Sequence, residues 1–196
     1  RDDLGYLTAC PTNLGTGLRA SCLVHLPALT MTGAVGKIVE GLGRAGLIVR
    51  GLYGEGARVI GDFFQLANAT GFGRTEGEIL AALEKSVGAV VARENEARAA
   101  LSTGGAKIKL EDDIHRAISL LNGARLLAFE ECQQYLSRLR LGLALGWRLG
   151  TDLATVNELT LSTQPAHLDL LAQKVLSPID RDALRASLIR RRLKAG

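Results

Sequence analysis

The most informative stretch of the chain is residues 10–26, which read CPTNLGTGLRASCLVHL. Its first half, with Gly15 and Gly17, is typical of a loop that exposes backbone N–H groups. Its second half alternates between apolar and polar residues, which predicts a strand with two different faces. One predicted face carries Leu18, Ala20, Cys22, Val24 and Leu26, and the other carries Arg19, Ser21, Leu23 and His25. The second face begins with an arginine and is the candidate for function.

Further elements are predicted on both sides of this strand. Strands are expected at residues 4–8, 47–50 and 63–67, and helices at residues 29–42 and 75–101, the latter opened by a Thr75/Glu78 capping box. After a flexible break at residues 102–106, only helical patterns follow, at 110–121, 126–145, 156–161, 166–176 and 178–194. Ser177 is a good N-cap for the last of these helices. Short strands followed by helices predict an α+β fold with a helical C-terminal subdomain.

Length and composition are those of a globular protein. The chain has 196 residues, of which 47% are hydrophobic and 22% charged, enough to bury a core. We expect one domain, or one domain with an appended helical subdomain. The net charge of +4 favours anionic ligands only weakly. No apolar run reaches the roughly 20 residues that cross a bilayer, and the start does not resemble a signal peptide, so we expect a soluble protein with no membrane partner.

The cysteines indicate a reducing compartment. There are 3 of them, and no pair has the CxxC spacing. An odd number without such a pair suggests neither a disulfide framework nor a zinc site, and a cytoplasmic location fits best. The chain also begins without methionine and enters an apparent strand within three residues, from which we expect a fragment cut inside a domain.

Cys10 and Arg19 are the first candidate functional pair. A thiol on a glycine-bearing loop can have its pKa lowered by nearby cations and backbone N–H groups, and the thiolate could then hold a guanidinium. Arg19 could offer a planar fork to a phosphate. The alternative is a structural cysteine in a tight turn beside a surface arginine.

A second group of candidate functional residues lies in the stretch RGLYGEG at residues 50–56. Arg50 ends a predicted strand, and Glu55 lies on a loop that glycines allow to fold closely over a ligand. The arginine could contact a phosphate and the carboxylate a guanidinium. The alternative is a surface salt bridge between the two.

Together, CPTNLGTGLRAS and RGLYGEG resemble the active-site cysteine loop and the nucleotide loop of the phosphagen (ATP:guanido) kinase family. The resemblance implies that Cys10 aligns the acceptor guanidinium, that Glu55 faces it, and that Arg19 and Arg50 bind ATP phosphates. It also implies an antiparallel sheet flanked by helices, with ATP and Mg²⁺ as cofactors. The magnesium ion would be held mainly by ATP oxygens and water, so no protein metal ligands are expected. The implied ATP-binding segments are Arg19, Ala20, Ser21, Cys22 and Leu23, and Arg50, Gly51, Leu52, Tyr53, Gly54 and Glu55.

Within that family, the closer resemblance is to the bacterial protein arginine kinases of the McsB type. Tyr53 is one sign, and the stretch RDALRA at residues 181–186 is a stronger one, since it fits their phosphoarginine-binding pattern RDxxRA. The resemblance implies an allosteric phosphoarginine site at Arg181, Asp182, Arg185 and Ala186. Arg181 and Arg185 are one helical turn apart and share a face. The alternative is a helix stabilised by Asp–Arg pairing.

The implied activity is transfer of the ATP γ-phosphoryl group to arginine side chains of proteins, which marks them for quality control and degradation under stress. The implied partners are a zinc-binding activator protein, a Clp-type protease system, heat-shock repressors and a second copy of the protein. We expect residues 1–101 to be the C-terminal part of the catalytic domain, 102–107 a flexible linker, and 108–196 the helical subdomain. Because relatives carry further basic residues and a carboxylate upstream, we expect the fragment alone to be inactive.

Two other classes of function are open. One is a phosphoarginine-binding regulatory or adaptor module without catalysis of its own. The other is nucleic-acid binding by the C-terminal basic residues. No aromatic residues alternate with that cluster, so a solvated helix face is the preferred interpretation, with no direct nucleic-acid partner. The cluster comprises Arg185, Arg190, Arg191, Arg192 and Lys194.

Overall fold

The computed structural model describes residues 5–10, 13–52 and 59–194. The chain divides into two compact units, Arg1–Ala99 and Ala100–Gly196. The elements of the first unit are β1 (Ser21–His25), α1 (Pro27–Met31), α2 (Val35–Arg44), β2 (Leu47–Gly51), β3 (Phe63–Asn68) and α3 (Glu76–Leu101). Those of the second are α4 (Gly104–Gly123), α5 (Phe129–Ala144), α6 (Leu153–Ser162), α7 (Pro165–Ala172) and α8 (Pro178–Lys194). The predicted α+β class is confirmed.

The sheet of the first unit is antiparallel, with β3 between the other two strands in the order β1-β3-β2. Gln65 of β3 pairs with Leu23 of β1 on one side and with Arg50 of β2 on the other. Directly paired residues project from the same face of a sheet. The three side chains therefore form one row, and strand spacing makes this row about 10 Å wide.

One face of the sheet forms the core of the first unit. Val24, Phe64 and Leu66 are buried there in a single apolar cluster with residues of α1, α2 and α3. Ala20 and Cys22 pack against the same cluster. The alternation predicted for residues 18–26 is thus confirmed, and it leaves Ser21, Leu23 and His25 on the opposite face.

Three predicted segments differ from the structure. In the segment expected to be a strand at residues 4–8, Tyr6 makes an isolated bridge with Gly15, because its backbone N–H and C=O bond to that residue rather than to the sheet. The helix expected over residues 29–42 is divided into α1 and α2, since Gly33 has a left-handed φ of 70°. The break expected at residues 102–106 is shorter, because α4 begins at Gly104 and Lys107 N already donates to Thr103 O.

The buried carboxylate of Glu94 on α3 caps the short helix α1. No side chain at the N-cap of α1 accepts a hydrogen bond from its first turn. Instead, Ala28 N and Leu29 N donate to the two carboxylate oxygens of Glu94 at 3.1 and 3.0 Å. Arg98 Nε donates to Glu94 Oε1 at 2.7 Å and balances its charge. Glu94 therefore fixes the helix that follows β1 to the long helix α3.

We expect Glu94→Gln to destabilise the first unit by about 1–3 kcal/mol, because an amide cannot accept charge-assisted bonds from both N–H groups and from Arg98. Amide hydrogen exchange at Ala28 and Leu29 measures this loss directly. The matched control is Glu96→Gln, which removes an exposed ion pair with Arg93 and should change stability by less than about 1 kcal/mol. Equal exchange rates in the two variants would contradict the capping role.

The second unit is a helical cluster with a continuous apolar core. Its buried residues include Leu121 of α4, Leu136 of α5, Leu159 of α6 and Ile189 of α8. Helix α8 begins as predicted, with Asp180 N donating to Ser177 Oγ at 3.2 Å. Across residues 5–10, 13–52 and 59–194, no helix combines the length and the apolar character needed to cross a membrane.

Candidate functional site

The open face of the sheet brings Arg50 together with polar and aromatic side chains of the neighbouring strands. Gln65, beside Arg50 on β3, donates from Nε2 to Ser21 Oγ of β1 at 3.1 Å. Leu23 is 47% exposed on the same face, and Arg50 is half-buried. This face therefore offers a guanidinium and amide groups above a packed sheet.

A ring pair extends this face. His25 of β1 and Phe63 of β3 are paired residues, and their ring centroids are 4.8 Å apart at an interplanar angle of 37°. Sequence reasoning did not single out Phe63 or Gln65. Only the strand pairing places Gln65 beside Arg50 and Phe63 beside His25. The sequence signal that could have found them is the alternation of side chains along residues 63–68, which is typical of a strand.

Arg19 is exposed just before β1, and the buried Asn68 fixes the backbone on either side of it. Ala20 N donates to Asn68 Oδ1 at 2.8 Å, and Asn68 Nδ2 donates to Leu18 O at 3.1 Å. A buried side-chain amide with both ends bonded holds its neighbours rigidly. Sequence reasoning missed this positioning residue.

Cys10 is exposed on a loop whose ends are joined by the bridge between Tyr6 and Gly15. We call residues 7–14 the Cys10 loop. Its turn is held at the Cys10 carbonyl oxygen, which accepts from Asn13 N at 3.0 Å and from Thr8 Oγ1 at 2.7 Å. The cysteine is thus presented on an organised turn, and its side chain lies at the surface.

Two glycines allow the Cys10 loop to pack against the segment before α3. Gly15 has φ 96°, and a Cβ there would lie 2.9 Å from Gly71 O. A Cβ at Gly71 would lie 2.7 Å from Thr16 Oγ1. The backbone of Gly71 leaves no space for a Cβ at Gly15, so this contact requires glycine there, whereas the nearest atom to a Cβ at Gly71 belongs to the Thr16 side chain.

The other predicted ATP-binding residues occupy different surroundings. Ser21 and Leu23 share the open face with Arg50, whereas Ala20 and Cys22 face the core and offer only backbone groups to a ligand. Gly51 is buried at the end of β2, and Leu52 follows it in a turn. Tyr53, Gly54 and Glu55 lie outside the described residues.

In the second unit, Arg181 pairs with Asp169 of α7. Arg181 Nε and Nη2 donate to the two carboxylate oxygens of Asp169 at 2.9 and 2.6 Å. Leu176 N also donates to Asp169 Oδ1 at 3.1 Å. Arg181, followed by Leu176, holds the pKa of Asp169 below its usual range. Both charged side chains remain about a quarter exposed, so they can exchange partners with a ligand.

Arg185 is 1% exposed and is bonded within the second unit. Its Nε donates to Thr163 O at 2.9 Å, and its Nη1 donates to Leu127 O at 2.7 Å and to Asp182 Oδ1 at 2.6 Å. The guanidinium carbon also lies 5.7 Å from the centroid of the Phe129 ring. Arg185 therefore ties α8 to two other segments, while Ala186 beside it is fully buried in the core.

Two further arginines of α8 are also engaged by the second unit, whereas Arg191 is exposed. Arg190 Nη1 donates to Ala124 O, and Arg192 forms an ion pair with Glu158. Cations already bonded to their own protein are poorly placed to track a nucleic-acid backbone.

Burial raises the pKa of the Cys132 thiol in the second unit to about 12, which keeps it protonated.

Comparison with family models identifies the two halves of the chain. Residues 1–97 match the model of the ATP:guanido phosphotransferase C-terminal catalytic domain, and residues 107–196 match that of the protein-arginine kinase McsB C-terminal domain. The first half of the chain is thus similar to the ATP:guanido phosphotransferase family. Within that family, the second half of the chain is similar to the protein-arginine kinase branch.

Two curated protein-arginine kinases are similar to this chain over nearly its whole length. The chain is 47% identical to a protein-arginine kinase of Symbiobacterium thermophilum over 99% of this chain and 55% of that protein. It is 45% identical to one of Geobacillus thermodenitrificans over 97% of this chain and 52% of that protein. A crystal structure of lombricine kinase matches with a TM-score of 0.44 and 37% identity over 50% of this chain and 26% of that chain. The chain spans about half the length of the curated relatives it matches.

Proposed function

We propose that this chain carries part of the active site of a protein arginine kinase, which transfers the γ-phosphoryl group of ATP to arginine side chains of proteins. The observation that carries the proposal is the open sheet face, where Arg50 lies in one row with Gln65 and Leu23 and the exposed Arg19 precedes β1. One guanidinium on this face and a second one just before β1 suit a polyphosphate.

The nucleotide would lie along this face. Arg19 and Arg50 would hold the phosphates with charge-assisted hydrogen bonds, and the His25–Phe63 ring pair offers an apolar surface to a base. Among the described residues, no group of three acidic, histidine or cysteine side chains could hold a metal ion. In the proposal, an Mg²⁺ ion bound mainly through phosphate oxygens would neutralise charge on the transferred group.

The Cys10 loop would present the acceptor. A guanidinium is protonated and delocalised, so it must be oriented and must lose a proton as its nitrogen attacks the γ-phosphorus. The new N–P bond forms while the bond between phosphorus and the bridging oxygen of ADP breaks. In this proposal Cys10 orients the guanidinium, and Glu55 is the carboxylate that faces it.

The same proposal gives the second unit a regulatory role. Residues 1–101 would be the C-terminal part of the catalytic domain, and residues 108–196 a helical subdomain with a phosphoarginine site. The partly exposed Arg181 would take the phosphate, Asp182 would meet the guanidinium of the ligand, and the buried Arg185 and Ala186 would position them. We further propose a cytoplasmic enzyme that acts in protein quality control, with a dimeric form, an activator protein and a Clp-type protease as partners.

Replacement of Cys10 tests the catalytic proposal. In the full-length protein, we expect Cys10→Ser to lower kcat for phosphoarginine formation by roughly 10²-fold, with the affinity for ATP almost unchanged, because the thiol contacts the acceptor and not the donor. Phosphoarginine is quantified by mass spectrometry and ATP affinity by calorimetry. Cys132→Ala, which removes the buried thiol of the second unit, is the matched control. Weakened ATP binding at normal turnover would contradict the role of Cys10.

A further inference from the structure

A cavity of about 530 Å³ opens at the base of the Cys10 loop. One wall is the stem of the loop, formed by Tyr6 and by Gly15 with Thr16. The other wall is the segment from Phe72 to Glu78 that leads into α3. A volume of this size accommodates one or two side chains of a bound polypeptide.

The walls of the cavity combine aromatic rings with carboxylates. Tyr6 is 72% exposed and Phe72 is 49% exposed. Glu78 is held by the capping box with Thr75, whose N–H donates to Glu78 Oε2 at 2.8 Å. Glu76 is exposed and makes no ion pair with any other described residue. Arg74 also lines the cavity, and its Nη2 lies 3.7 Å from the Cβ position built on Gly46, at the turn between α2 and β2.

This chemistry suits a side chain with an apolar stem and a cationic end. The stem of a lysine or arginine packs on aromatic rings, and its charged end gains both from ring faces and from a carboxylate. We propose that this cavity binds the polypeptide next to the acceptor arginine and selects substrates with a lysine or arginine there. The inference rests on the proposed function, since it concerns the substrates of the same site.

The position of the cavity fits that role. Cys10 is four residues from Tyr6 along the Cys10 loop, so at most about 14 Å of extended chain separates the two residues. An extended polypeptide covers the same distance with about four residues. An acceptor arginine at Cys10 therefore has its near neighbours within reach of the cavity.

Peptide kinetics test the proposal in the full-length protein. Three peptides share one acceptor arginine and carry lysine, alanine or glutamate at the four positions on either side. We expect the lysine peptide to have the lowest KM. In Glu76→Gln, the KM of the lysine peptide should rise about two- to fivefold, with kcat and the KM of the alanine peptide unchanged. Glu76→Lys should reverse the preference towards the glutamate peptide. Glu84→Gln, an exposed carboxylate further along α3, is the matched control.

An equal change of KM for all three peptides, or no change in either Glu76 variant, would overturn the proposal. A binding measurement separates it from the proposed function. The lysine peptide, added without ATP to the 196-residue chain, should shift the NMR signals of the Phe72 and Gly73 amides. Such shifts without phosphoarginine formation by the full-length protein would contradict the proposed kinase activity and support peptide binding in the cavity. Phosphoarginine formation with shifts only at other amides would contradict peptide binding in the cavity and support the kinase activity.

Discussion

Replacement of Arg50 by lysine should lower kcat/KM for ATP by roughly 10²- to 10³-fold, the range seen when one preorganised donor to a developing charge is removed. Lysine keeps the positive charge but cannot offer two parallel N–H donors to a phosphate. Arg50 is paired across the sheet with Gln65, so the backbone position should persist and the loss should reflect the guanidinium itself. Arg19→Lys should behave similarly, because Asn68 fixes the backbone on either side of Arg19.

The control for both changes is Arg44→Lys. Arg44 forms an exposed ion pair with Glu40 on α2 in the same unit, and the change should leave the kinetics at the wild-type level. Steady-state assays of the full-length protein at saturating peptide give kcat and KM for ATP. Wild-type values in both Arg19→Lys and Arg50→Lys would show that these arginines are surface residues without a role in phosphate binding.

Replacement of Arg185 by leucine should destabilise the second unit by about 2–5 kcal/mol, because two carbonyl acceptors lose a buried charged donor. The change leaves Thr163 O and Leu127 O without their donor and frees the carboxylate of Asp182. Trp147 is the single tryptophan of the chain and belongs to the second unit. Its fluorescence during urea denaturation therefore follows this unit separately from the sheet.

Arg116→Leu is the control for stability, since Arg116 forms an exposed ion pair with Asp112 on α4, and it should cost at most about 1 kcal/mol. Arg181→Ala separates folding from ligand binding. We expect it to retain the fold but to lose affinity for phosphoarginine, measured by calorimetry. Equal unfolding midpoints for Arg185→Leu and Arg116→Leu would contradict the structural role of Arg185. Unchanged phosphoarginine binding in Arg181→Ala would remove Arg181 from the proposed regulatory site.

The sequence predicted much of the fold because strong local signals and tertiary packing agree. The alternation over residues 18–26 predicted which side chains of β1 face the core, and the Thr75/Glu78 capping box predicted the start of α3. The division of the 29–42 helix was missed because Gly33 adopts a left-handed conformation that the apolar spacing does not show. The strand expected at residues 4–8 was overestimated because Tyr6 bonds to its own loop.

Part of the candidate site was likewise predictable from the sequence, and part was not. Cys10, Arg19 and Arg50 stand in recognisable local patterns, whereas Gln65, Phe63 and Asn68 enter the site only through long-range pairing of β3. The burial of a side chain also depends on segments that are distant in sequence. The spacing of Arg181 and Arg185 predicted a shared face, but it could not predict that Arg185 is enclosed by segments 22 and 58 residues away in sequence.

The side-chain amide of Asn68 has a consequence for motion at this site. It joins the backbone around Arg19 to the central strand, whereas the Cys10 loop is closed by its own bridge between Tyr6 and Gly15. The backbone of Arg19 is therefore held to the sheet by bonds that a movement of the Cys10 loop would not break. In the proposed enzyme, the donor side of the site would keep its register with the sheet while one acceptor arginine is exchanged for the next.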